Sequence, residues 1–253
     1  MTTTTGKPIP VHVVMVLDES GSMSRLRADL IGGVNKFLAD QRAEEGKCRL
    51  TLVKFAPYTV LHNAVKIADV PDLTAADYEP HSMTPLLDTE GRAIHEAMAR
   101  AEARKAAGKR EEAVLFVTYT DGAENASREY TFESLAALKE AREADGWTFL
   151  YLGAGHDAYG QSSAMGTRVA NTSSSTASAK GMSDVFANVS NVTRGYRGAA
   201  NAGDRATLVA ASAAAYSTFG LDKLEDAAPT VTTTTTTTTA QRPARPPRRR
   251  ATR

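Results

Sequence analysis

Residues 11–23, VHVVMVLDESGSM, decide the fold class of this chain. The first seven are apolar except for His12, as expected of a strand buried on both faces of a parallel sheet. The run ends in Asp18, Ser20 and Ser22, so oxygen-bearing side chains follow the strand directly. In open α/β sheets, ligands bind just outside the carboxyl ends of the strands. The stretch therefore predicts both a buried strand and the location of a site.

Four further segments have the composition of strands: 50–55, 58–67, 113–119 and 148–152. Only two residues separate the first pair, which is a hairpin distance, so we expect 58–67 to be an antiparallel edge strand. Apolar residues at helical spacing follow between and after the strands, beginning near Ser24, Pro85, Thr131 and Met182.

This alternation predicts a three-layer, Rossmann-like α/β fold with a central, mostly parallel sheet, one antiparallel edge strand and helices on both faces. Gly32 and Gly33 lie inside the first helix, where glycine is unfavourable, and we expect a close approach to the sheet there. The polar segment 171–179, NTSSSTASA, predicts a loop.

The 253 residues, 42% of them hydrophobic, suffice for one sizeable core. We predict a flexible N-terminus over residues 1–8 and one domain over 9–225, with its core in 9–200. Residues 226–253 contain eight consecutive threonines and then a Pro/Arg run, so we predict a disordered tail.

Charge is unevenly distributed along the chain. Residues 240–253 hold six arginines and no acid, whereas residues 1–239 carry 24 basic and 29 acidic side chains, a net charge of −5. Nucleic acid is therefore an expected partner only through the Arg-rich tail. Cys48 is the single cysteine, and the sequence has neither a signal-peptide pattern nor a long apolar span. These features predict a cytoplasmic protein without membrane contact.

Five side chains form the candidate site, and all of them offer oxygen. Thr84, in SMTPLLD, opens a predicted helix, and Asp121, in TYTDGAEN, ends a strand that we expect to neighbour the first one. Two carboxylates close together repel each other unless a cation lies between them. Oxygen-only ligands suit a hard divalent cation such as Mg²⁺ or Mn²⁺. The full set is Asp18, Ser20, Ser22, Thr84 and Asp121.

Each motif taken alone has an ordinary structural explanation. Asp and Ser are preferred N-cap residues, Thr84 followed by Pro85 is a good helix start, and Asp121 followed by Gly122 is a common turn. The combination of all three motifs at one predicted sheet edge favours the metal site.

The motifs DESGSM, MTPLLD and TDG together resemble the metal-ion-dependent adhesion site (MIDAS) of von Willebrand factor A (vWA) domains. The resemblance covers about residues 9–200 of the chain. Within that family, residues 147–160, WTFLYLGAGHDAYG, are most similar to cytosolic bacterial and bacteriophage members.

The resemblance implies that Ser20, Ser22 and Thr84 bind the metal directly, while Asp18 and Asp121 act mostly through bound waters. The implied cofactor is Mg²⁺, with Mn²⁺ and Ca²⁺ as alternatives. The implied function is non-catalytic binding of a protein that offers an Asp or Glu carboxylate. Partners in the resembling families include AAA+ ATPases and virion components, so a phage origin would imply a virion-associated location.

Two other functions stay open at this stage. A metal-dependent hydrolase is less favoured, because a dehalogenase-type mechanism needs a second Asp where this chain has Ser20. No nucleophile in the candidate site is paired with a base, so we expect no enzyme. The other alternative is a nucleic-acid-associated or virion structural protein that acts through the basic tail.

Overall fold

The computed structural model describes residues 7–155, 157–203, 206–208 and 210. Strands and α-helices alternate along this part of the chain except that β3 follows β2 directly. The order is β1 (Val11–Asp18), α1 (Arg27–Arg42), β2 (Cys48–Phe55), β3 (Thr59–Lys66), α2 (Leu86–Ala106), β4 (Ala113–Thr120), α3 (Phe132–Ala144), β5 (Thr148–Ala154), α4 (Ala158–Ala164), β6 (Thr172–Ser175) and α5 (Ala179–Ala202). Short 3₁₀ helices lie at Gly21–Leu26, Ile67–Asp69 and Val169–Asn171.

The strands form one six-stranded sheet in the order β3-β2-β1-β4-β5-β6. All neighbouring strands are parallel except β2 and β3, so β3 is the antiparallel edge strand that the sequence predicted. From β1, the chain adds β2 and β3 on one side and β4 to β6 on the other. The strand order therefore reverses between β1 and β4, where a ligand site is expected.

Helices cover both faces of the sheet, and β1 supplies side chains to both cores. Val13, Met15 and Leu17 pack in the core that includes residues of α1 and α5. Val14 and Val16 face the opposite core, which includes residues of α2, α3 and α4. Burial on both faces explains the continuous apolar run of β1, and the predicted three-layer α/β architecture is confirmed.

The prediction of a loop over residues 171–179 holds for 176–178 but was wrong for the four residues before them. Thr172–Ser175 form β6, which pairs in parallel with β5 at the sheet edge. Its four residues are Thr and Ser, so the strand has no apolar pattern that periodicity would detect.

The expectation that the two glycines of α1 approach the sheet was also wrong. A Cβ on Gly33 would lie 2.4 Å from Cδ2 of Phe186, which belongs to α5. A Cβ on Gly32 would meet nothing within 4 Å. Gly33 therefore permits close packing of α1 against α5.

Residues 1–6 of the predicted flexible N-terminus, the predicted domain end at 225 and the whole tail 226–253 lie outside the described residues. Within the described part of the chain, no helix combines the length and the apolar character that a membrane span requires.

Candidate metal centre

Asp18 is the last residue of β1 and is fully buried. Its Oδ1 accepts a hydrogen bond of 2.7 Å from the backbone N–H of Ser20, and its Oδ2 accepts one of 2.5 Å from the hydroxyl of Thr120 at the end of β4. The carboxylate is thus fixed between the two strands at which the order reverses. It also determines the path of the chain that carries the two serines.

The two serines and Asp121 form a connected group. The hydroxyl oxygens of Ser20 and Ser22 are 3.0 Å apart, and the Ser22 hydroxyl donates a hydrogen bond of 2.6 Å to Oδ1 of Asp121. The other oxygen of Asp121, Oδ2, is buried and has no hydrogen-bond partner. The nearest cation is the guanidinium of Arg25, whose largely exposed side chain reaches only 3.9 Å from that oxygen.

Thr84 joins this group from the loop that precedes α2. It is buried, and its backbone is clamped because its N–H donates to Oδ1 of Asn125 (2.9 Å) while its carbonyl accepts from the Asn125 N–H (3.2 Å). A Cβ placed on Gly122 would lie 3.4 Å from Oγ1 of Thr84, 3.7 Å from Oγ of Ser22 and 3.9 Å from Oδ2 of Asp18. Oxygens from separate segments therefore surround one small space beside Gly122.

Helix capping does not account for the hydroxyls. The N-cap position of α2 is Pro85 rather than Thr84, and the N-cap side chain accepts no hydrogen bond from the backbone N–H groups of the first helical turn. The N–H of Leu87 is instead satisfied by Oε2 of Glu124, 2.9 Å away, from another loop. The 3₁₀ helix after Ser20 likewise has no side-chain cap. Thr84 is therefore not the N-cap of α2.

Electrostatics at the site disfavour two bare carboxylates. Burial raises the pKa of Asp18 above its usual value, the hydrogen bonds from Ser20 and Thr120 act in the opposite direction, and the charge of Asp121 raises the pKa further. A positive ion between the two carboxylates would remove both the repulsion and the need to protonate one of them.

The chemistry of this group fits a hard divalent cation. Within the described residues, no three side chains of the His, Cys, Asp and Glu types come together as a metal-binding cluster. In the candidate site, three of the five side chains are instead hydroxyls: Ser20, Ser22 and Thr84. Oδ2 of Asp121, which accepts no hydrogen bond, and the space beside Gly122 fit an ion held by neutral oxygens and few carboxylates. The structure brings together all five predicted residues: Asp18, Ser20, Ser22, Thr84 and Asp121.

Three residues that support the site were not identified from the sequence. Glu19 is buried and contacts the loop before Thr84. Asn125 holds the Thr84 backbone, and Glu124 caps α2. The sequence offers little indication of these roles. Glu19 is a charged residue directly after a buried strand, and Asn125 and Glu124 have no such local feature. Their roles depend on contacts between residues 37 to 60 positions apart.

No protein-family model matches the chain, and no curated protein matches it in sequence. Solved structures do match. The pilus adhesin SpaC of Lactobacillus rhamnosus GG superposes with a TM-score of 0.55 at 13% identity, covering 75% of this chain and 31% of SpaC. A von Willebrand factor type A protein of Catenulispora acidiphila gives 0.53 at 13% identity, covering 74% and 43%.

The VWA domain of SpRpn10 gives a TM-score of 0.50 at 13% identity, covering 72% of this chain and 95% of that domain. The matched region thus spans less than half of SpaC and of the Catenulispora protein but nearly all of the isolated domain. At such identities, the similarity concerns the fold. The chain has the fold of von Willebrand factor A domains.

Proposed function

We propose that this chain is a non-catalytic protein-binding module that depends on a divalent cation. The observation that carries the proposal is the convergence of oxygens at Gly122, together with a buried carboxylate oxygen of the preceding Asp121 that has no hydrogen-bond partner. A buried acceptor without a partner is unfavourable unless something else satisfies it. The hydroxyls of Ser20, Ser22 and Thr84 are suitable direct ligands, with Asp18 and Asp121 fixing their positions.

Mg²⁺ is the expected ion, with Mn²⁺ and Ca²⁺ as alternatives, because hard cations prefer oxygen ligands. Ligation mainly by neutral hydroxyls leaves the ion with much of its positive charge, so when bound it supplies a position for an Asp or Glu of a partner protein. Ser22 is exposed, whereas Asp18 and Ser20 are buried. The side of the site that carries Ser22 is therefore the one that a partner would reach.

Calorimetric titration of Mg²⁺ and of Mn²⁺ into the metal-free full chain tests the metal site. We expect one-site binding that is lost in Asp18→Ala and weakened in Ser22→Ala, whose exposed side chain makes a folding defect less of a concern. Asp72→Ala removes an exposed carboxylate that pairs with Arg42 and serves as the matched control. If the wild type binds neither of these ions nor Ca²⁺, or if Asp18→Ala binds as tightly as the wild type, the proposal fails.

An array of Asp- and Glu-containing peptides, probed with and without EDTA, tests the binding function. We expect peptide binding that requires the ion and Ser20, and that survives removal of residues 240–253. Binding that persists in EDTA but needs the tail would instead favour the nucleic-acid or virion alternative. Turnover of phosphate or carboxylate esters that is abolished by Asp18→Ala would favour the hydrolase.

A further inference from the structure

Glu19 is a buried carboxylate beside the candidate metal centre, although it is not one of the predicted ligands. Only 1% of its surface is exposed. Its Oε1 accepts hydrogen bonds from Nζ of Lys54 (2.8 Å) and from the backbone N–H of Glu79 (2.5 Å), whereas its Oε2 is buried without a hydrogen-bond partner. Lys54 lies at the end of β2, and its side chain is 15% exposed.

The backbone around Glu19 contacts the same region. Residues 79–84, here called the Thr84 loop, run alongside the segment that carries the two serines. The Glu19 carbonyl accepts from the N–H of His81 (2.8 Å), and the Gly21 N–H donates to the carbonyl of Ser82 (3.2 Å). The Thr84 loop therefore takes its position from the metal-binding segment itself.

The conformation of the Thr84 loop needs such support. Ser82 has φ of +72°, a left-handed conformation that is unfavourable for a residue with a Cβ. At one end of the loop, Asn125 clamps the backbone of Thr84. At the other end, Glu19 and its partner Lys54 hold the N–H of Glu79. The preceding Tyr78 is held separately, since its carbonyl accepts from Arg27 (2.8 Å) and its hydroxyl donates to the Asp18 carbonyl. Releasing either end would let the Thr84 hydroxyl move away from the other oxygens.

Stability alone is a poor explanation for this pair. Glu19 is buried and Lys54 is only partly exposed, so the desolvation of the two charges offsets much of their attraction. Apolar replacements of such pairs are often neutral or stabilising. The unsatisfied Oε2 makes the arrangement less favourable still. We propose that Glu19 and Lys54 are positioning residues that set the affinity of the metal centre by holding the Thr84 loop in place. This inference rests on the proposed metal-binding function.

Lys54→Met separates positioning from electrostatics, because the two effects have opposite signs. Removal of a nearby positive charge by itself strengthens cation binding. Loss of positioning weakens it, and changes to residues that orient metal ligands typically lower affinity by about tenfold or more. We therefore expect Lys54→Met to bind Mn²⁺ about tenfold more weakly than the wild type, measured by calorimetry on the full chain.

Two further variants serve as controls, one for the loss of a positive charge and one for loss of stability. Lys66→Met removes an equally charged but exposed side chain, which pairs with Asp69 at 4.0 Å, and we expect unchanged Mn²⁺ affinity. Glu19→Met/Lys54→Met leaves no unpaired buried charge and keeps the net charge constant. We expect this double variant to unfold at the wild-type denaturant concentration or higher and still to bind Mn²⁺ about tenfold more weakly.

Hydrogen exchange of metal-free protein gives a readout that needs no ion. We expect faster exchange of the amides of Glu79 and His81 in both Lys54 variants, with exchange in β4 unchanged. Wild-type affinity or tighter binding in Lys54→Met, or unchanged exchange in the Thr84 loop, overturns the inference. If the wild type binds no metal, the proposed function fails, and with it the role in affinity. The exchange data then decide separately whether the pair holds the loop.

Discussion

The hydroxyl of Ser22 donates a hydrogen bond of 2.6 Å to Oδ1 of Asp121, a residue 99 positions later in the chain. The bond connects the loop after β1 to the loop after β4, the two strands between which the sheet order reverses. The bond joins protein groups directly and so holds the two loops in register. Such preorganisation lowers the entropic cost of binding.

Gly122→Ala is expected to impair metal binding without unfolding the domain. The new methyl group would occupy the space among Thr84, Ser22 and Asp18, at 3.4 to 3.9 Å from their oxygens. These are ordinary contact distances, so we expect a change of at most about 1 kcal/mol in the free energy of unfolding. Calorimetry with Mn²⁺ should show at least a tenfold weaker affinity, since second-layer changes at metal sites typically cost about 10–100-fold. If this variant binds Mn²⁺ as tightly as the wild type, the ion does not occupy the space beside Gly122.

The adjacent glycines of α1 are expected to respond in opposite directions to alanine. Gly32→Ala should raise the free energy of unfolding by about 0.5–1 kcal/mol, because alanine is the better helix former and its Cβ would meet nothing. Gly33→Ala should lower it by about 1–2 kcal/mol, because overpacking against Phe186 outweighs the same gain. Urea unfolding of the two variants measures both values. A stabilised Gly33→Ala would contradict the close packing of α1 on α5.

The sequence was most informative where burial is strongest. The apolar runs of β1, β4 and β5 predicted strands because both faces of each are covered, and their alternation with helices predicted the order reversal that brings Asp18 and Asp121 to one edge. Thr84 was predicted as a ligand because its hydroxyl, close to the start of a helix, adds an oxygen to those of the two carboxylates and the two serines. These inferences needed only local patterns and general rules of sheet topology.

What the sequence did not reveal depends on tertiary contacts. β6 consists of Thr and Ser and is a strand because it pairs with β5, not because of any apolar pattern. Glu19 and Asn125 have no distinctive local context, and their roles follow from the path of the Thr84 loop. Gly33 is explained by Phe186, a neighbour more than 150 residues later.

His12 is expected to make the domain less stable at mildly acidic pH. Burial, reinforced by the charges of Arg100, Arg104 and Arg49, lowers the pKa of His12 to about 3, from an ordinary value of 6.5. Between these two values, the unfolded chain binds a proton that the folded protein does not, so stability falls as the pH drops below 6.5. From pH 7 to pH 5 this contribution amounts to about 2 kcal/mol.

The measurement for His12 is urea unfolding at both pH values, for the wild type and for His12→Gln. Glutamine does not titrate, and it retains a polar group near the Thr51 hydroxyl, which is 2.8 Å from Nε2 of His12. We expect the variant to lose about 2 kcal/mol less than the wild type between pH 7 and pH 5. Equal losses would mean that His12 takes up its proton normally in the folded state.

Glu90 of α2 and Lys139 of α3 form a buried ion pair, at 2.5 Å between Oε2 and Nζ, with side-chain exposures of 0% and 1%. The Thr118 hydroxyl donates to the other Glu90 oxygen (2.6 Å), and Lys139 donates to the Thr167 hydroxyl (2.9 Å). Lys139→Met leaves a buried carboxylate without its cation, so we expect a loss of about 3–5 kcal/mol in the free energy of unfolding.

Because most of that loss is the penalty for an unpaired charge, Glu90→Gln in the same chain should recover a large part of it. Gln retains an acceptor for the Thr118 hydroxyl, and the double variant should be more stable than Lys139→Met by about 2 kcal/mol or more. The exposed pair Lys180–Asp184 is the control, since its single variants should change stability by less than about 1 kcal/mol. A double-mutant cycle, measured by urea unfolding, tests this coupling. If the losses in the free energy of unfolding from the two single variants are strictly additive, neither charge depends on the other.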